Sequence, residues 1–381
     1  MTDRAVLAAA AAAGLRPFAS RITKSPVLVG FDGFVDSIIA VVEKRHDAVR
    51  YDAVPTIARF GEKIRAAAGQ SSNYELVTTL RKLGGNGPIM ANALAAAGLP
   101  VTYIGALGTP AIDPVFHELA QKAAVHSIVD PGYTDALEFD DGKIMLGKYA
   151  HLDAVNQSTL DAVMGREKYV AAVAAARLLA MVNWTMLPKL ETIWTTLVDE
   201  VLPKVGGPRK LAFVDLADPE KRTANDIRGA AALCARMNRH ADVVLGLNLK
   251  ESTQVAGVLG IDVPADAEAA IEKTAAALRA KLDLFGVVIH PRKGAAAALK
   301  SADGQVTSAT FAGPFVAKPK LSTGAGDNFN AGFCIGLLAG LSVEQCLCTG
   351  TATSGFYVRN AHSPSLTDLA AFCDHLPGPQ A

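Results

Sequence analysis

Gly324, Ala325, Gly326 and Asp327 stand together at the head of an apolar run, Asn328 to Gly340, whose composition predicts a helix. Two opposite charge preferences meet in those four residues. Glycine has no Cβ, so the N–H groups of the turn lie open to an approaching group. At a helix start they are joined by the positive end of the helix dipole, and the pair makes an anion site. Asp327 is itself an anion. Phosphoryl transfer needs both: N–H donors stabilise charge on the migrating group, and a carboxylate beside them takes the proton of an attacking hydroxyl. The competing reading is an ordinary turn in which Asp327 is a helix-start carboxylate.

A scaffold must bring substrates to that turn. Short apolar runs at 26–33, 101–108, 177–184, 211–218, 241–248 and 285–291 read as buried strands. Between them lie helical stretches at 86–98, 111–124, 188–202, 223–239, 249–258 and 265–283. This alternation predicts an α/β fold, a parallel sheet with helices on both faces. Sites in such sheets lie beyond the carboxyl ends of the strands, where Asp32, Asn183, Asp215, Asn248 and His290 fall. Residues 34–53 and 73–82 alternate like strands around a helix at about 55–68, and 134–149 reads as a hairpin turning at Asp141-Gly142. These segments predict a small projecting sheet.

Composition narrows the classes. The chain has 381 residues, half of them hydrophobic, enough for a large core. Lys+Arg and Asp+Glu balance at 37 each, so no global field draws it to nucleic acid or a membrane. Cys234, Cys334, Cys346, Cys348 and Cys373 show no C-x-x-C spacing, which argues against zinc and a disulfide framework and for a reducing cytoplasm. The histidines lack ligand spacing too. The alanine-rich start reads as a helix over 2–15, not a signal peptide, because Asp3 offsets Arg4. No strongly apolar run is long enough to span a membrane.

"STGAGDNFNAGF" (322–333) resembles the C-terminal signature of the PfkB/ribokinase family of sugar and nucleoside kinases. "VGFDGFVD" (29–36), "LGGNGPIMANALAAAG" (83–98) and "NLKE" (248–251) are similar to three further family motifs, in the right order. The resemblance spans about residues 25–375. It implies a three-layer ribokinase-like core with a mostly parallel sheet and a small β-rich lid from about 34–82 and 134–150. An N-terminal helix at 1–24 would precede a kinase domain at 25–381.

By the same resemblance, Gly324, Ala325 and Gly326 form the anion hole and Asp327 is the base. Asn248 and Glu251 organise Mg2+, largely through water, although Asn-x-x-Glu is also the pattern of a helix cap. Asp32, Asp36, Gly84, Gly85 and Asn86 bind substrate. For Asp32 and Asp36 the alternative is a loop carboxylate, and for Asn86 a helix cap. The family's usual asparagine four residues after the second glycine is Ile89 here. "GGNGPIMAN" instead resembles the ADP-dependent sugar kinases, which brings Asn92 into the substrate role. Thr323, Lys293 and Gly294 join Asn248 on the nucleotide side, with a solvated basic turn as the other reading for Lys293. Small residues of "TATSGFYVRNA" (351–361) would line the adenine pocket. Asn73 and Glu75 read as a solvated lid strand, with substrate contact on closure as the alternative.

The implied activity is Mg2+-dependent transfer of the terminal phosphoryl group of ATP to an alcohol of a sugar. Sugar and nucleotide would be its partners, and lid edges would support a homodimer. The alternatives are an ADP-dependent sugar kinase, a nucleoside kinase, or a non-enzymatic sugar-sensing protein. An intact Gly-Ala-Gly-Asp favours an enzyme, since sensing needs no base.

Overall fold

The computed structural model describes residues 3–301 and 303–378. Among these, nine strands form one sheet in the order Val306–Ala312, Gly294–Lys300, Gly286–Ile289, Ala241–Leu247, Lys210–Asp215, Leu178–Met181, Val27–Phe31, Val101–Ala106, Ala124–Val129. Neighbours pair in parallel except at Gly294–Lys300, which runs antiparallel to both its partners. Each strand feeds both faces, as the two-residue side-chain period requires. Leu179 and Met181 join one core, with helices such as Ala224–Met237 and Ile271–Leu282. Leu178 and Ala180 join the other, with Asn86–Ala96, Ala325–Ala339 and Val343–Asn360. The result is the expected three-layer α/β architecture.

The N-terminal helix is Arg4–Phe18, started by Asp3, whose carboxylate accepts the Ala5 N–H at 3.0 Å. Residue 2 of the expected span lies outside the described residues. Ala8, Ala11, Ala12, Leu15 and Phe18 are buried in the second core, so this helix packs as part of the main body. The stretch expected as a helix at 111–124 is shorter. Asp113 caps a 3₁₀ turn at Pro114–Phe116, and only His117–Lys122 is α-helical. The helix expected from 265 begins at Ile271.

A second, small sheet rises over the carboxyl ends of the large one. Phe34–Arg45 is its spine, pairing with Leu76–Gly84, Tyr51–Ala53 and Gly132–Phe139, and the last pairs with Gly142–Lys148. Helix Ile57–Ala66 belongs to it. Ile39, Val41, Val54, Phe60 and Leu137 give it a core of its own. Asn73 and Glu75 are exposed but precede the strand Leu76–Gly84 instead of belonging to it, and Glu75 pairs with Arg45 of the spine strand.

Candidate active site

Helix Ala325–Ala339 starts from Gly324, whose φ of +89° suits glycine. A Cβ there would lie 3.0 Å from both Ile89 Cγ2 and the Tyr357 hydroxyl oxygen. No side chain caps this helix, and the Ala325 N–H donates to Ser322 O at 3.2 Å. Among the described residues the Gly326 and Asp327 N–H groups have no backbone partner, leaving two donors at the positive helix end.

Asp327 is therefore not the cap. It is buried, and its Oδ1 accepts a hydrogen bond from Asn86 Nδ2 at 2.9 Å, across 241 residues of sequence. Asn86 is not a cap either, because Gly85, at φ +96°, occupies that position. Asn86 holds the carboxylate.

Two cavities meet at this turn. One, about 400 Å³, is lined by Asp36, Gly85, Asn86, Thr134, Asn183, Met186, Asp215, Glu251 and Gly324 to Asp327. The other, about 350 Å³, is lined by Gly294, Pro314, Val316, Thr351, Ser354 and Gly355 among others. Asn248, His290, Ser322, Ala325 and Gly326 belong to both. The His290 ring lies 4.6 Å from Phe329, and burial pulls its pKa down to about 4, so it is neutral at pH 7.

The structure brings most expected residues to these cavities and turns some away. Asp32 is corrected. It is wholly buried and points under the turn rather than into the cavity, accepting the N–H groups of Asn86 at 2.9 Å and Gly87 at 2.8 Å and the Asn183 amide at 2.7 Å. Four residues later the strand presents Asp36 to the cavity, its carboxylate packed on Gly84 so closely that a Cβ would sit 2.5 Å from it. Burial raises the Asp36 pKa, while Lys82, a Thr134 hydrogen bond and Lys143 oppose the rise.

Asn92 is corrected too. Six residues beyond Asn86 on one helix, it has rotated to another face, where Lys122 Nζ donates to it at 3.4 Å. Lys293 borders a neighbouring cavity, with its ammonium 5.7 Å from the Phe315 ring centre, while Gly294 lines the cavity of about 350 Å³. The Thr323 hydroxyl accepts from Lys143 Nζ at 3.1 Å, linking the small sheet to the glycine turn, and Ser322 takes its place in the cavities.

Asn248 and Glu251 satisfy both readings of their motif. Asn248 Oδ1 accepts the Glu251 N–H at 3.0 Å and Glu251 Oε2 accepts the Asn248 N–H at 2.8 Å, a capping box whose members also line the cavity. Glu251 Oε1 accepts the Asp218 N–H at 2.8 Å. Asn183, Asp215 and His290 sit at strand ends, which was the available signal, but strand ends alone assign no role. Thr134 and Met186 carried no signal, and Ser322 opens the 322–333 motif without having been given a role.

Burial dominates the electrostatics. Asp215 is pushed up to about 7, first by desolvation and then by Glu251. Asp327 is raised well above the ordinary carboxylate range by desolvation, Asp215, Asp32 and Glu251, against the Asn86 hydrogen bond. This direction is opposite to the lowering that the helix dipole alone would give, because burial and the neighbouring carboxylates both disfavour the charged form.

A cluster of carboxylates that raise one another's charge cost, with hard oxygen atoms lining the cavity, fits a divalent cation such as magnesium. Among the described residues no three acidic, histidine or cysteine side chains converge closely enough to hold such an ion. Glu251→Gln keeps the shape but turns a donor toward a backbone N–H. It should cost about 0.5–2 kcal/mol of stability, the range for a lost cap, and raise the half-saturating magnesium concentration. Urea unfolding and a magnesium titration check both, and an unchanged titration would leave Glu251 a cap only.

An anion turn and a pinned carboxylate between two cavities, at the carboxyl ends of a parallel sheet beneath a small β-sheet, define a ribokinase-like sugar kinase. The fold agrees with solved structures. A probable sugar kinase from Rhizobium etli superposes with a TM-score of 0.61 at 18% identity, over 93% of this chain and 98% of that one. Ribokinase from Arabidopsis thaliana, solved with ribose and ATP, gives 0.61 at 17% identity, over 92% and 99%. The model of the prokaryotic ketohexokinase family matches residues 2–376, and the chain belongs to that family. It is 27% identical over 354 residues to a ketohexokinase of Haloferax volcanii, covering 92% of each chain. The protein is an ATP-dependent carbohydrate kinase.

Proposed function

We propose that this chain transfers the terminal phosphoryl group of ATP to a hydroxyl of a ketohexose, with Asp327 as general base. The observation that carries the reading is the position of Asp327, held by Asn86 where the two cavities meet. The family and the Haloferax relative, named as a ketohexokinase, supply the acceptor class.

The sugar occupies the cavity beneath the small sheet. Asp36 and the unpartnered Asn183 Oδ1 accept hydrogen bonds from its hydroxyls. The nucleotide base lies against Pro314, Val316 and the small residues Thr351, Ser354 and Gly355, which leave room for a flat ring. Its terminal phosphate meets the Gly326 and Asp327 N–H groups, which stabilise the charge that develops on the migrating group. Asn86 holds Oδ1 of Asp327, so Oδ2 is left to take the proton of the attacking hydroxyl. Bound magnesium, held near Glu251 and Asn248, would neutralise donor phosphate charge. The small sheet, tied to the turn through Lys143 and Thr323, excludes water as a competing acceptor.

All five cysteines are buried and free, which suits a reducing cytoplasm. The exposed Leu76, Leu80, Met145 and Leu146 on outer strands of the small sheet suit a homodimer, and sedimentation of a monomer at working concentration would remove that part of the proposal.

Purified protein incubated with magnesium and ATP or ADP, against a panel of ketohexoses, aldoses, ribose and nucleosides, tests the reading. Sugar phosphate should form fastest from a ketohexose and ATP. A clear preference for ADP or for a nucleoside would overturn it, and no turnover with any acceptor would return the chain to sugar sensing. Asp36→Ala should raise KM for the sugar and leave KM for ATP nearly unchanged. A lost charge-assisted hydrogen bond of about 1.5–3 kcal/mol is roughly 10- to 150-fold in KM. Equal rises for both substrates would place Asp36 in the architecture of the small sheet instead.

A further inference from the structure

The wall of the acceptor cavity contributed by Asn183 and Met186 belongs to neither a strand nor a helix. It follows Leu178–Met181 as an irregular turn, and Asn183 sits there in the left-handed region at φ 62° while only 3% exposed. A buried turn carries carbonyl groups that regular ladders do not fully satisfy, and side chains can supply the remaining bonds.

One side chain reaches three of these carbonyls: Thr185 O, which has no backbone partner among the described residues, and Trp184 O and Leu187 O, which also accept the N–H groups of Leu187 at 3.2 Å and Leu190 at 3.1 Å. Arg222 Nε donates to Thr185 O at 3.0 Å, and its Nη2 donates to Trp184 O at 3.1 Å and Leu187 O at 3.0 Å. Its guanidinium lies 4.4 Å from the ring centre of Trp184, a wholly buried residue. Trp184 Nε1 in turn donates to Glu191 Oε1 at 3.1 Å, fixing the indole from its far side. We infer that Arg222 is a positioning residue for the acceptor: it clamps the 184–187 turn and so holds Asn183 and Met186 in the cavity wall. The inference rests on the phosphoryl-transfer reading above, which makes that cavity the sugar site.

The choice of arginine follows from the geometry. Three carbonyls and an indole face are met by a planar fork with five fixed donors, whereas an ammonium is a point charge on a flexible stem. Arg222 ends the segment that begins at Asp215. That segment is itself tied to the donor-side carboxylate through the Asp218 N–H and Glu251 Oε1 at 2.8 Å. The acceptor wall and the donor-side carboxylate thus hang on the same stretch of chain.

Arg222→Lys keeps the charge over Trp184 but cannot span the three carbonyls. It should fold, raise KM for D-fructose roughly 10-fold, the equivalent of about one lost charged hydrogen bond, and change KM for ATP by less than about 2-fold. Guanidinium ion at sub-denaturing concentration should lower KM for D-fructose in Arg222→Ala and leave Arg222→Lys, whose ammonium fills the space, unaltered. Parallel shifts of both KM values, wild-type constants in Arg222→Lys, or failure of Arg222→Lys to fold would each overturn the inference and make Arg222 a residue of the general fold. Calorimetric titration of parent and Arg222→Lys with D-fructose separates the two readings. A parent that binds D-fructose more tightly than Arg222→Lys but transfers no phosphoryl group removes the kinase reading and keeps the clamp. A parent that phosphorylates D-fructose with the same constants as Arg222→Lys removes only the clamp.

Discussion

Asp327→Asn should fold, bind nucleotide nearly as the parent does, and turn over roughly 10²–10⁴ times more slowly, the range for losing a general base. Asparagine keeps the shape and still offers an oxygen to Asn86 Nδ2, so the contact that places residue 327 survives. What disappears is the basic oxygen. The same substitution should stabilise the protein near neutral pH. The folded-state pKa of Asp327 is raised, so its favourable contribution to stability is present in full below the ordinary carboxylate range and is lost as pH rises through the raised value. The substituted amide never ionises and escapes that loss, and its advantage should vanish in acid. Single-turnover kinetics, nucleotide titration and melting curves across pH check the three parts. Near-parent turnover, with chemistry shown to be rate-limiting, would remove the base assignment.

The parent's pH profile follows from the same cluster. The base must be ionised to act, so kcat/KM should climb with pH along an acid limb above the ordinary carboxylate range. Asp215, Asp32 and Glu251 raise Asp327, and Glu251 raises Asp215, so that limb belongs to the cluster and not to one residue. A limb at the value of an exposed carboxylate would mean the charges are relieved before chemistry.

Asp32→Ala is expected to be the most damaging to the fold of the substitutions named here. It strands the N–H groups of Asn86 and Gly87 and the amide of Asn183, all in a buried place. Unsatisfied donors cost about 1–3 kcal/mol each, so a loss of roughly 3 kcal/mol or more is expected against a typical total of about 5–15 kcal/mol. Part is returned because burial holds the Asp32 pKa up at about 6, and removing the residue removes that desolvation cost. Activity should fall with stability, because the turn that Asp32 anchors carries Asn86, and Asn86 places Asp327. The urea midpoint should drop sharply with an unchanged slope, and the folded fraction should lose kcat more than sugar affinity. A normal midpoint with a raised sugar KM alone would restore Asp32 as a substrate contact.

Certain features were legible in the amino-acid order because they are local. The glycine turn and its helix need only φ freedom at Gly324 and an apolar run after it. The Asn248–Glu251 box closes over three residues, and the strands announce themselves as short apolar runs buried on both faces. Charge and facing are not local quantities. Whether Asp327 is ionised depends on Asp215, Asp32 and Glu251, far from it along the chain, and their summed repulsion with burial reversed what the helix end alone would give. Asp32 and Asp36 look alike in order, yet the fold sends one beneath the turn and the other into the cavity. Asn86 became the partner of Asp327, and Asn92 turned away, because one helix shows different faces six residues apart. Neighbours three residues apart in a helix are set by covalent geometry. The low dielectric, the partners and the direction of each carboxylate arise only when distant segments pack together.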